Sequence, residues 1–99
     1  MSFMKNLNFF LQKLFHEKKY SEIINTIQNE IKHKDYSAGI LNILGVSIIL
    51  QGPKTKQVYK LAMSNFRESY FKEKQTLIGL DGLINLMNTT VDFFDARFS

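Results

Sequence analysis

The stretch from Ser37 to Gly52, SAGILNILGVSIILQG, carries no charge, and the rest of the chain has to be arranged to cover it. Ile40, Leu41, Ile43, Leu44, Val46, Ile48, Ile49 and Leu50 leave almost no polar side on a helix built from it, so helices are needed on both flanks. Ser37 sits where an N-cap belongs, able to accept a bond from a first-turn N–H. Gly52 followed by Pro53 supplies the stop, since glycine tolerates a left-handed exit and proline cannot continue the ladder. From Tyr36 to Pro53 the uncharged run reaches 18 residues, the lower edge of what could span a bilayer. Ser37, Asn42, Ser47 and Gln51 inside it, and lysines on both sides, argue for a buried core helix and against a membrane.

A chain of 99 residues, 44% of them hydrophobic, is one domain with a modest core and is not a disordered segment. Without cysteine there is no disulfide framework and no thiolate metal site, which fits a reducing, cytoplasmic interior. The start, MSFMKNLNFFLQKLF, has apolar residues at helical spacing interrupted by Lys5, Asn6, Asn8, Gln12 and Lys13. It therefore reads as part of the fold and not as a signal peptide.

The net charge of +4 is uneven: residues 1–20 carry +3, residues 21–53 carry −1, residues 54–74 carry +4 and residues 75–99 carry −2. A basic segment can meet phosphate, an anionic surface or an acidic peptide, although a solvated helix face is the commoner use of such charge. Only Arg67 and Arg97 are arginines, and no RNP-like or zinc-finger pattern occurs, so nucleic acid is the less favoured partner.

Read in order, the chain predicts an all-α fold of five to six helices. Leu7, Phe10, Leu11, Leu14 and Phe15 give one apolar face from about Met4 to His16. Ser21 is the expected N-cap of a second helix with Ile23, Ile24, Ile27 and Ile31 buried, and the central helix follows. Thr55 or Pro53 begins a fourth helix bearing Val58, Tyr59, Leu61, Ala62, Phe66 and Tyr70. A fifth, from about Lys74 to Asn88, is expected to bury Leu77, Ile78, Leu80, Leu83, Ile84, Leu86 and Met87. Gly79 and Gly82 inside it each cost about 1 kcal/mol relative to alanine and so mark a close approach by another helix. Thr90 is a fair N-cap for a short sixth helix.

The central pair resembles a tetratricopeptide repeat, whose pattern runs Trp-x2-Leu-Gly-x2-Tyr on the first helix and Ala-x3-Phe on the second, closing at a proline. The corresponding residues are Leu41, Leu44, Gly45 and Ile48, then Ala62, Phe66 and Ser69. A loose earlier unit places Leu11 at the Gly45 position, and a later one aligns Leu80, Leu83 and Met87. The closing proline is missing, and Leu11 and Ile23 stand where small residues are expected. The turn at PKTKQ is about five residues longer than that of the family. The resemblance implies two and a half stacked hairpins, 4–35, 37–73 and 74–99, in a single domain over residues 1–99.

What the resemblance further implies is a protein-interaction scaffold that holds a peptide or partner domain on the concave face lined by the first helix of each pair. The residues it places there are Asn8 and Gln12, then Asn42, Val46 and Ile49, then Asp81 and Asn85. An asparagine amide both donates and accepts and can fix a peptide backbone; the plainer reading of Asn42 is that it satisfies a backbone group at a helix junction. That family's carboxylate clamp, in which lysine and arginine join asparagine, has no counterpart, so an acidic tail is not the expected ligand.

No catalytic constellation is present: His16 and His33 lack ligand spacing, the glycines are scattered, and Asp92 and Asp95 fit a solvated helix end. The residues thus predict neither an enzyme, a cofactor nor a metal, although modules of this kind can precede a catalytic domain in a larger protein. The alternative function is a small basic regulator that binds nucleic acid or an anionic surface through Lys54, Lys56, Lys60 and Arg67. Self-association through the C-terminal helix, with Phe93, Phe94 and Phe98, is a further expectation, because an open array needs a cap.

Overall fold

The computed structural model describes residues 3–96, and among these every regular element is helical. Five α-helices follow one another: α1 (Phe3–His16), α2 (Tyr20–Glu30), α3 (Ala38–Gln51), α4 (Lys56–Lys72) and α5 (Leu77–Asp95), with one 3-10 turn at His33–Asp35. Each helix packs against its successor, and α3 also touches α5. The uncharged α3 is therefore flanked by α2, α4 and α5, and Ala38, Ile40, Leu41, Leu44, Gly45, Ser47 and Ile48 are buried. The core gathers Leu7, Leu11 and Leu14 from α1 and Ile23 and Ile27 from α2 around these residues, and Ala62 and Phe66 of α4 close it.

Local chemistry fixes the helix ends. The hydroxyls of Ser37, Thr55 and Thr76 accept from the N–H of Ile40, Val58 and Gly79, each at 3.2 Å, satisfying a first-turn donor that has no helical partner. At the other end of α3, Gly52 takes φ +68°, which a side chain would resist. Ser21 does not cap α2. Lys18 turns left-handed at φ 60°, the Lys19 N–H closes on the Leu14 carbonyl, and α2 starts at Tyr20, whose ring stands edge-to-face on Phe15 at 5.7 Å. That aromatic contact and the tight turn carry the start of the helix back past the serine.

The expected sixth helix is not separate: α5 runs unbroken to Asp95, and the Thr90 hydroxyl donates to the Leu86 carbonyl at 2.7 Å within it. Of the described tail residues, Val91, Phe93 and Phe94 thus belong to α5, and Phe98 lies outside the described residues. A second difference concerns which face of α5 is covered. Gly79, Gly82 and Thr89 are buried, whereas Leu77, Ile78, Leu80, Ile84 and Met87, expected in the core, are exposed. Close approach explains the choice. A Cβ on Gly82 would lie 3.0 Å from Ser69 Oγ and 3.1 Å from the Phe66 carbonyl of α4, and one on Gly79 would run into the Glu73 carbonyl. The glycine side alone lets the two backbones come this near, so α5 turns that side inward and leaves Leu77, Leu80, Ile84 and Met87 facing out, while Leu83 and Leu86 are half-buried and Leu86 packs on the core. Phe10 of α1 and Leu61 of α4, also read as core residues, are about half exposed.

The C-terminal half of α4 holds the segment between α2 and α3. Ser69 Oγ donates to the buried Ala38 carbonyl at 2.8 Å, Lys72 Nζ donates to the Tyr36 carbonyl at 2.6 Å, and His33 Nε2 meets Glu68 Oε1 at 3.1 Å. Tyr36 is buried in this seam beside the His33 ring. Burial, and after it the Glu68 carboxylate, raises its phenol above the ordinary tyrosine value.

Candidate functional site

Helices α1, α3 and α5 present neighbouring faces, and a trough runs between them. Its main cleft, about 380 Å³, is lined from α1 by Gln12 and Phe15, from α3 by Gly39, Asn42, Ile43 and Val46, and from α5 by Ile78, Asp81, Ile84 and Asn85. A second cleft of about 390 Å³ adjoins it, shares Gln12, Gly39, Ile43 and Ile78, and adds Asn8, Ser37 and Glu73. Six of the seven residues expected at a partner-binding face thus line one continuous trough: Asn8, Gln12, Asn42, Val46, Asp81 and Asn85. The seventh, Ile49, lies about one turn beyond Val46, is half-buried and packs against the core.

The opening exists because of what is missing at its floor. Gly39, in the first turn of α3, is exposed and has only Ser37 Oγ near the place of a Cβ. A larger residue there would fill the junction of the two clefts. Phe15, Ile43, Ile78 and Ile84, which the sequence assigns to core-facing stripes and not to the groove, supply apolar wall. Phe15 and Ile43 belong to runs that are apolar on several sides, and only packing decides which side stays open.

Two features set the chemistry of the trough. The first is its charge: the charged side chains lining the two clefts are Asp81 and Glu73, both carboxylates, in a chain whose net charge is +4. The second is Asn42, whose Nδ2 donates to the Ile78 carbonyl at 3.0 Å while its Oδ1 is buried with no hydrogen-bond partner. The amide hydrogens of Asn42 therefore act as a strut between α3 and α5, and the polar groups left to read a ligand are those of Asn8, Gln12, Glu73, Asp81 and Asn85. Another depression, of about 560 Å³, follows Asn8, Phe9, Gln12, Lys13 and His16 of α1 and Glu17 just after it, and no second helix walls it.

Among the described residues, no three His, Asp or Glu side chains converge into a metal site, and no helix is long and apolar enough to cross a membrane. No family model, curated protein or solved structure matches the chain.

Proposed function

We propose that the chain is a protein-interaction module, of tetratricopeptide-like build, that captures a segment of a partner protein in the trough across α1, α3 and α5. The observation that carries this reading is the convergence in one trough of residues from the first, third and fifth helices, the first members of successive hairpins. Gly45 against the Phe66 ring and Ala62 fully buried give the small-residue contact between α3 and α4 that such a repeat uses. The lining also defines the ligand. Apolar walls ask for aliphatic or aromatic anchors, amides for main-chain partners, and the two carboxylates for a lysine or arginine.

Selection of a displayed random-peptide library on the full-length chain tests this. Enriched peptides should combine apolar anchors with at least one basic residue. They should lose about tenfold in affinity, ~1.4 kcal/mol, when Asn85→Arg sets a cation in the trough. Binding that survives Asn85→Arg combined with Gln12→Arg, or a selection with no enrichment, overturns the assignment.

A second reading has one observation in its favour. Lys56, Lys60 and Arg67, spaced four and seven apart on α4, share one exposed helix face, which makes a short basic stripe away from the trough. Retention of nucleic acid or anionic vesicles that falls steeply with salt, and is lost in Lys56→Glu/Lys60→Glu, would support it. Unaltered elution in the presence of either probe at low salt would remove it.

A further inference from the structure

Leu77, Leu80, Ile84, Met87, Val91 and Phe94 follow one another along α5 at steps of three, four, three, four and three, and each is between 45% and 80% exposed. The stripe lies on the side of the helix away from Gly82, which faces α4, and from the buried Thr89. Steps that alternate in this way make a strict 3.5-residue repeat, narrower than the stripe a globular core needs and suited to interdigitation with a second helix of the same period. Nothing within the described chain covers it.

The stripe also matches itself when reversed. Pairing α5 with an antiparallel copy about a two-fold axis between Asn85 and Leu86 sets Leu77 against Phe94 of the partner subunit. The same axis sets Leu80 against Val91 of the partner subunit and Ile84 against Met87 of the partner subunit, so all six positions are used and none is left over. Leu77 and Phe94, the two most exposed members of the stripe, meet each other at the ends.

Charge selects the same direction. Asp81, Asp92 and Asp95 are the charged residues of α5, and two of them crowd its C-terminal end. A parallel pair would bring those ends together. The antiparallel pair brings Asp95 level with Thr76 of the partner subunit, two residues from Lys74 of the partner subunit, sets Asp81 level with Thr90 of the partner subunit, and opposes the two helix dipoles favourably. We infer that the exposed face of α5 is a self-docking seam, and that two copies of this chain pair through it as an antiparallel two-helix coiled coil ~28 Å long.

The seam does not depend on the trough reading. Ile84 alone contributes to both, so the test uses other positions. Light scattering of the full chain across the micromolar range should approach twice the 11.6 kDa chain mass, and Leu80→Glu/Met87→Glu should remain at one chain mass with unchanged helical circular dichroism. These exposed positions are outside the core, so the variant keeps its fold, and peptide capture by the trough should persist in it.

Direction is read by cross-linking, because the natural sequence has no cysteine to interfere. Chains carrying Leu77→Cys should form a disulfide with chains carrying Phe94→Cys when the two are mixed. Either variant alone should not, its two thiols being ~25 Å apart. A wild-type chain that stays at one chain mass throughout overturns the seam, and disulfides formed readily within each single variant overturn the antiparallel register.

Discussion

Gly45 of α3 faces the edge of the Phe66 ring of α4 so closely that a Cβ on the glycine would lie 2.5 Å from Cε1. Phe66 is 1% exposed and has no free space into which to swing. Gly45→Ala gains ~1 kcal/mol of helix propensity, yet it has to push a packed ring aside at ~1–3 kcal/mol, so a net loss is expected. Phe66→Leu alone leaves a void. Together the two changes should cost less than the sum of the single losses, and a urea-denaturation double-mutant cycle measures that coupling. Simple additivity would contradict the contact.

Ser69 joins three helices at one point: its hydroxyl donates to Ala38 of α3 while its side chain lies against Gly82 of α5. Ser69→Ala removes a buried donor and should destabilise the fold by ~1–2 kcal/mol. Ser69→Val, which adds bulk against Gly82, should cost more. Denaturation midpoints of the two variants, at an unchanged slope, give the comparison, and a valine variant as stable as the alanine one would show that Gly82 is not tightly packed there.

Ser47 is fully buried in α3, and its hydroxyl has no hydrogen-bond partner. Ser47→Ala gives up nothing the native state uses and improves helix propensity, so stability should rise by ~0.5–1.5 kcal/mol. A melting temperature that falls instead would mean that the hydroxyl is engaged.

The Tyr36 phenol is raised by its burial and then by Glu68, so the folded state holds that proton more tightly than the unfolded chain does. The associated stability is complete below the unfolded tyrosine value of about 10 and is lost as pH climbs through the higher folded value. Tyr36→Phe keeps the ring and removes the ionisation. Compared with the native chain, it should therefore retain more of its neutral-pH melting temperature above pH ~10. Parallel alkaline slopes in the two proteins would refute the assignment.

Where a residue type has one physical outlet, the sequence reads correctly. Ser37, Thr55 and Gly52 mark helix ends, an uncharged helix has to be surrounded, and Gly82 in mid-helix marks a close neighbour. Where two outlets compete, the sequence is silent. Residues 77–94 are apolar on two sides, and periodicity does not say which side the core takes; the contact of Gly82 with Ser69 and Phe66 decides it, against the larger side chains. Likewise Ser21 could cap α2, but the turn at Lys18 and the Phe15–Tyr20 contact start the helix earlier. Of the trough, Asn8, Gln12, Asn42, Val46, Asp81 and Asn85 are accessible through repeat spacing. The vacancy above Gly39 depends on how α1 lies across α3, which no single helix encodes.

Side-chain hydrogen bonds tie Asn42 of α3 to Ile78 of α5, Ser69 of α4 to Ala38 of α3, and Lys72 of α4 to Tyr36 in the segment before α3. Burial of Leu7, Leu11 and Leu14 and the aromatic contact of Phe15 with Tyr20 hold α1 against them. With its share of the core at one end of the helix order, α1 is the element expected to open locally before the block of α3, α4 and α5 does. Backbone amides of α1 should then exchange with deuterium sooner than those of α3. Exchange in that order would make one bank of the trough a compliant jaw working against a rigid anvil, able to close on guests of different girth.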